Sequence, residues 1–286
     1  MRRLLLHLLA TSIVLGGCRA ERKAPAAAAP VPASGGAARV VTLAPNLTEI
    51  VFALGAGDRL VGASEYSDYP EAARAIPRVG GLEVDPEKVA ALSPDLVLAI
   101  AEGAARGAVG ALEAAGLPVV VVPSGSLDAV LESIRIVGAG LGRDARARSL
   151  IEELSRKRAA VRKRAASSKQ PRTLLLVWPD PPQAAGSGTF LNDLLEEAGA
   201  RNVVADLRGW PVLSKEFLAT TPVDLLVVPD SPETRPAYAR AFSEGPLSRG
   251  PISRAGVLRL DEAVLTRPGP RVFDALDVLS RSVGSR

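Results

Sequence analysis

From Arg39 onward, short runs of β-branched residues and leucine alternate with segments whose apolar positions recur every three or four residues. The run 39–43, Arg-Val-Val-Thr-Leu, has the length and composition of a buried strand and stops before Pro45. Asn46 stands where a cap is needed for a helix over 47–54, which Gly55 closes. A second strand is predicted at 60–62. Asp85-Pro86-Glu87 then opens a helix reaching 92, with a cap residue followed by proline at the first helical position. Strands at 95–99 and 118–122, with helices at 105–115 and 127–141, complete this half. Such alternation predicts an α/β body with a parallel sheet.

A longer charged helix follows over 143–169, with apolar residues at Ala147, Leu150, Ile151, Leu154 and Val161 on one stripe. The basic residues between Arg156 and Arg164 read as its solvated face. Pro171 bounds it. By itself this could be a surface helix of one large domain, but the segment after it restarts the same order. Strands are predicted at 173–177, 202–205 and 224–228, with helices over 191–198 and from Ser214 onward. Glu87 and Asp95 stand eight apart, and Glu216 and Asp224 repeat that spacing in the same setting; Asn46-Leu-Thr-Glu-Ile and Leu191-Asn-Asp-Leu-Leu each precede a helix ended by glycine. The repeat decides for two lobes, 39–142 and 170–286, joined by one helical strut at 143–169. A cleft between them receives the loops beyond the carboxyl ends of the strands.

The amino terminus reads differently. Arg2-Arg3, an apolar run over 4–15 and Gly16-Gly17-Cys18 describe an export signal, since the run is shorter than the roughly 20 residues of a spanning helix. Leu15-Gly16-Gly17-Cys18 is similar to a bacterial lipobox. That similarity implies removal of 1–17 and lipid on Cys18, the single cysteine, placing the protein on the outer side of a membrane in the cell envelope. Residues 18–38, rich in Ala, Pro, Ser and Gly, form a tether.

Composition then narrows the chemistry. Once Arg2 and Arg3 leave with the signal, 33 basic residues face 31 acidic ones, a balance that argues against nucleic acid as partner. The single histidine, His7, lies in the signal. Imidazole-based triads, Cys-His pairs and zinc sites of histidine or cysteine are therefore excluded from the mature body. No phosphate-loop motif is present. A carboxylate-dependent enzyme is left open, although nothing marks a pair.

Aromatic residues are scarce, so their positions carry information. Tyr66 and Tyr69 share the loop Ser64-Glu-Tyr-Ser-Asp-Tyr-Pro70, and Trp178 and Trp210 each adjoin a proline at a strand end or loop. Aromatic faces on loops suit a large planar ligand, or else pack under their own lobe. Glu87 and Glu216 fall in helix first turns, one per lobe; the helix dipole alone favours a carboxylate there, by roughly 0.3–1 kcal/mol.

Five segments together resemble the vitamin B12-binding periplasmic proteins of bacterial ABC importers. They are Arg39-Val-Val-Thr-Leu-Ala-Pro-Asn-Leu-Thr-Glu49, Tyr66-Ser-Asp-Tyr-Pro70, Glu87 with Pro94-Asp-Leu-Val-Leu98, Trp210-Pro-Val-Leu-Ser-Lys-Glu216 and Arg267-Pro-Gly-Pro-Arg271. The resemblance implies two Rossmann-like lobes on a single long α-helix, a stiff hinge, and no catalysis. It implies a corrinoid as cargo rather than cofactor, lined by Tyr66, Trp210 and Val264, Leu265, Thr266 and Arg267. Glu87 and Glu216 correspond to carboxylates that dock on arginines of a permease dimer, which works with its ATPase. Gly81 stands where these proteins carry a tryptophan, and Val264-Leu265-Thr266 where they carry an aromatic pair and an acid. The broader superfamily also binds haem and ferric siderophores. Axial ligation of haem would fall to Tyr66, Tyr69 or Tyr238, and siderophore anions would need Arg208, Arg267 and Arg271. A structural lipoprotein, with a filled cleft, is the remaining reading.

Overall fold

The computed structural model describes residues 36–81, 83–101 and 106–285. Cys18 and most of the tether lie outside them. Among the described residues no helix is long and apolar enough to cross a membrane.

Four strands, β1 (Val40–Thr42), β2 (Leu60–Ala63), β3 (Leu96–Ile100) and β4 (Val119–Val122), form an all-parallel sheet in the order β2-β1-β3-β4. Helices α1 (Pro45–Ala53), α2 (Pro86–Ala91), α3 (Arg106–Ala114) and α4 (Leu127–Gly140) connect or follow them. After α5 (Asp144–Ala165), β5 (Arg172–Pro179) starts a second sheet. Its neighbours are β6 (Pro182–Ala184), β7 (Arg201–Asn202), β8 (Leu225–Asp230) and β9 (Gly256–Asp261), with β7, β8 and β9 parallel and β6 an antiparallel hairpin partner of β5. The helices of this half are α6 (Phe190–Glu197), α7 (Lys215–Thr220), α8 (Arg235–Ser243), α9 (Glu262–Thr266) and α10 (Val272–Gly284). Strand for strand, β7-β5-β8-β9 repeats β2-β1-β3-β4.

The paired aspartates explain why the repeat shows in sequence. Asp95 accepts the Arg39 N–H at 2.9 Å, and Asp224 accepts the Arg172 N–H at 2.8 Å. Each carboxylate, one residue ahead of its strand, ties down the otherwise unpaired start of the first strand of its sheet. Gly55 and Gly199 likewise end α1 and α6 with φ of +69° and +85°, a backbone that favours glycine. At Gly199 space is short as well, since a Cβ would meet Ser168 Cβ at 2.8 Å.

One continuous core runs from Val40 and Leu98 through α4 and α5 to Leu191, Leu225 and Phe273, so both lobes share it at the strut. Separate clusters fill the outer face of each sheet. The strut buries Ala147, Leu150, Leu154 and Val161, while Ile151 is half-buried.

Two expectations are corrected here. The basic run of the strut is not simply a solvated face: Arg158 is buried, and Lys157 and Arg164 pair with Asp274 and Asp277 of α10. Arg158 follows Leu154 by four and precedes Val161 by three, which puts it on the apolar stripe. It donates to both oxygens of Glu197 from Nε, at 2.7 and 3.0 Å, and to Asp128, joining α4, α5 and α6. Nor does Asn46 cap α1. Pro45 occupies the first helical turn behind Ala44, and Asn46 is turned into the interior.

Candidate functional site: the inter-lobe cleft

A cleft of about 680 Å³ opens between the carboxyl edges of the two sheets. The first lobe contributes Tyr66, Asp68 and Arg74 from the loop after β2. From the second come Asp230 at the end of β8, Glu233 and Arg235 beyond it, Asp261 at the end of β9, Glu262 in α9 and Arg267 just after it. Parallel strands place all these loops on one edge, so the chemistry collects there.

Tyr66 is about half exposed, with its ring over Gly81. A Cβ on Gly81 would lie 3.1 Å from that ring and 2.7 Å from Glu65 Oε2. A side chain at 81 would crowd the Tyr66 ring and displace Glu65. Thr266 and Arg267 share the cleft with Tyr66. Leu265 does not: it is fully buried in the shared core, because α9 turns that side toward the sheet. Val264 packs half-buried against the same core. Trp210 stands on another loop of the second lobe, 45% exposed, outside the lining of this cavity.

Arg267 and Arg271 are already paired. Arg267 reaches across to Asp68 of the other lobe and lies 3.8 Å from Glu49. Arg271 grips Glu49 with two bonds, Nε at 2.9 Å and Nη2 at 2.5 Å, while its guanidinium stacks 3.8 Å above the Tyr69 ring. Asn46 adds a bond to the Pro268 carbonyl at 3.2 Å. Together these contacts clasp the lobes at one end of the cleft. Burial would raise the Asp68 carboxyl, but the hydrogen bond and charge of Arg267 outweigh it and hold the group below its ordinary value. Tyr69 thus serves the clasp. Tyr238 is also spoken for, since it is fully buried and donates to the Leu176 carbonyl at 2.8 Å.

No local pattern announced the clasp, since its partners lie 199 and 222 positions apart. Glu49 has only 3% of its side chain exposed beside Arg271. Glu49→Gln is expected to lower unfolding free energy by about 1–3 kcal/mol, because it leaves a partly buried guanidinium short of its counter-charge. Urea denaturation of the two proteins at pH 7 reads this directly.

Glu87 and Glu216 lie apart from the cleft lining, one per lobe. Both are exposed at the starts of α2 and α7, with no side-chain partner among the described residues. Asp85 and Ser214 cap these helices, Asp85 by accepting the N–H groups of Glu87 and Lys88 and Ser214 by accepting that of Phe217. The two helices precede β3 and β8, which hold equivalent places in their sheets.

Comparison with known proteins fits this architecture. The sequence profile of a family described as periplasmic binding protein matches residues 40–247. The chain is 29% identical to an ABC transporter substrate-binding lipoprotein, YvrC, of Bacillus subtilis (strain 168), over 86% of this chain and 79% of that one. It is 28% identical to a vitamin B12-binding protein of Yersinia pestis (strain Pestoides F), over 87% of each. Among solved structures, the periplasmic heme-binding protein RhuT from Roseiflexus sp. RS-1 in apo form superposes with a TM-score of 0.79 at 29% identity, covering 87% of this chain and 99% of that one.

Proposed function

The chain belongs to the periplasmic binding protein family, and on that premise we propose that it captures cobalamin or a related corrinoid for an ABC importer. The protein is a solute-binding one of the ABC type; the cargo is our reading. The observation that carries it is the charge of the cleft. Its lining holds five carboxylates against three arginines, and Arg267 and Arg235 are bonded to Asp68 and Asp230. Arg74 is the one arginine of the lining without a bonded carboxylate among the described residues. Such a site offers acceptors and hydroxyls to a ligand rich in amide donors. It has little to neutralise a ligand that brings carboxylates of its own.

The steps follow from the fold. The corrinoid enters between the lobes and is held by area and shape, with a few polar groups to orient it. Glu87 and Glu216 meet arginines of a permease dimer, one per lobe, and the permease cycle, driven by its ATPase, spreads the lobes and releases the cargo. Lipid on Cys18 keeps the protein at the membrane surface. Docking that depends on ligand requires different affinities of the loaded and empty forms for the permease.

Haem is the second reading, favoured by one residue. Tyr66 has its side chain on the cleft, whereas Tyr69 lies under Arg271 and Tyr238 is buried. Titrating the full-length chain with cyanocobalamin and separately with haem, by calorimetry and visible spectra, separates the two. We expect one cyanocobalamin per chain with micromolar or tighter affinity. Absence of cobalamin heat, together with a haem band that Tyr66→Phe abolishes, would move the cargo to haem.

A further inference from the structure

The second lobe carries an aromatic surface that the cleft lining leaves unused. Trp178, in β5, pairs with Gln183 of β6, and Gln183 in turn bridges Val212. Residues paired across antiparallel neighbours share a face, and Trp210 lies next to it, its carbonyl accepting from Gln183 Nε2 at 3.3 Å. Burial bears this alternation out. Ala184 and Leu213 are buried on the opposite face, whereas Trp178, Trp210 and Val212 are 42%, 45% and 60% exposed. A register shift between Leu176 and Trp178 accounts for the change of side, since Leu176 two residues earlier is core.

The segment bearing Trp210 is not a free loop. Its backbone is laced to the hairpin by Gly186 N–H to Gly209 O, Gly209 N–H to Ser187 O and Ala184 N–H to Pro211 O, each at 2.9 Å. A Cβ on Gly186 would strike the Leu207 carbonyl at 2.0 Å, so this close approach requires glycine. The result is a hairpin with a third segment bridged to it, whose outer face carries Trp178, Trp210 and Val212 around Gln183. It leaves the sheet at the carboxyl end of β5, which runs parallel to β8, the strand whose end sends Asp230 to the cleft.

We propose that Trp178, with Val212, extends the ligand wall that the resemblance assigns to Trp210 into a platform for the flat face of a macrocyclic ligand, and that Trp178 is a further binding and specificity-determining residue. This rests on the cargo reading above. A rigid aromatic face contributes contact area at small entropic cost, and two indoles on one face favour a broad planar ligand over a small or globular one. Aromatic surface at the same carboxyl edge as the charged cleft would add the contact area for an extended ring system that a lining with one aromatic residue, Tyr66, does not supply.

The chain has two tryptophans, Trp178 and Trp210, so oxidation of indole reports on this platform alone. Oxidative labelling of the full-length protein, read by mass spectrometry with and without cyanocobalamin, is expected to show both tryptophans protected together. Trp178→Ala should raise the cyanocobalamin dissociation constant about tenfold with an unchanged melting temperature, and Trp178→Phe should restore most of the affinity. Val212→Glu, at an exposed position that leaves the fold alone, should weaken binding by a similar factor. Wild-type affinity in Trp178→Ala, while Trp210→Ala binds weakly, would overturn the platform and leave the cargo reading standing. Protection of Trp178 only when the permease is added would overturn it too and assign that face to docking. If the wild type binds no corrinoid at all, the cargo reading fails and the proposal with it.

Discussion

Glu197→Ala is expected to lower the unfolding free energy by about 3–5 kcal/mol, a large share of the 5–15 kcal/mol typical of a folded protein. Arg158 is the reason. Its side chain is 10% exposed on the apolar stripe of α5, and Glu197, at 14%, supplies three of its contacts. The remaining partner, Asp128, is largely in water and cannot replace them. Removing Glu197 strands a guanidinium in the shared core, beside Arg162, which also bonds to Glu197. The double variant Arg158→Met/Glu197→Leu should recover most of the loss, since the cost lies in the uncompensated charge and not in the absence of the pair. Urea midpoints at unchanged slope would measure both. Acid titration gives a second handle. Burial would raise the Glu197 carboxyl, but Arg158 and Arg162 outweigh it and hold the group below its ordinary value. A depressed carboxylate contributes stability above its unfolded pKa, about 4.3, and loses it as the pH falls through the folded value. Asp193 on the same helix runs the other way. Burial raises it, so its contribution is present below the unfolded pKa and disappears as the pH rises through the folded one. The acid branch of the wild-type stability curve should therefore be steeper than that of Glu197→Ala.

How much of this was legible beforehand differs by kind of interaction. The strut could be read because Ala147, Leu150, Leu154 and Val161 keep helical spacing, and its ends move by only a few residues, from 143–169 to Asp144–Ala165. Arg158 sits in the same pattern, where its charge suggests water and its position the core. The eight-residue spacings marked the repeat correctly, yet their use of aspartate to tie down β1 and β5 needs the sheets to be seen. The hairpin strand β6, with α8 and β9, lacks a strong local signal; β9 is an edge strand with several exposed positions. By contrast α10 carries plain periodicity in Val272, Phe273, Leu276, Leu279 and Val283, and its outer positions supply the partners of Lys157 and Arg164. Tyr66, Thr266 and Arg267 line one cleft, while Leu265 lies in the core through a one-residue difference of helix face. The clasp around Glu49 could not be read at all: ion pairs spanning most of the chain leave no trace in periodicity or composition.

Reversing both docking candidates, Glu87→Arg with Glu216→Arg, is expected to reduce permease-dependent uptake by at least tenfold while the affinity for ligand stays within about twofold. Each carboxylate is exposed and without a side-chain partner among the described residues, so neither is needed for folding beyond its helix-dipole term of roughly 0.3–1 kcal/mol. Close interfacial charge pairs couple by about 1.5–7 kcal/mol, and reversal converts attraction into repulsion at two points of one surface. The single reversals should each do less than the pair, because one anchored lobe still brings the protein to the membrane partner. Raising the salt concentration should weaken wild-type docking and partly relieve the repulsion in the double variant, so that the two converge as the Debye length shortens. Uptake by the double variant equal to wild type would show that another surface docks. Loss of uptake together with loss of ligand binding would point instead to a disturbed fold. The informative outcome is retention of ligand with no delivery, since that separation requires a docking surface apart from the cleft.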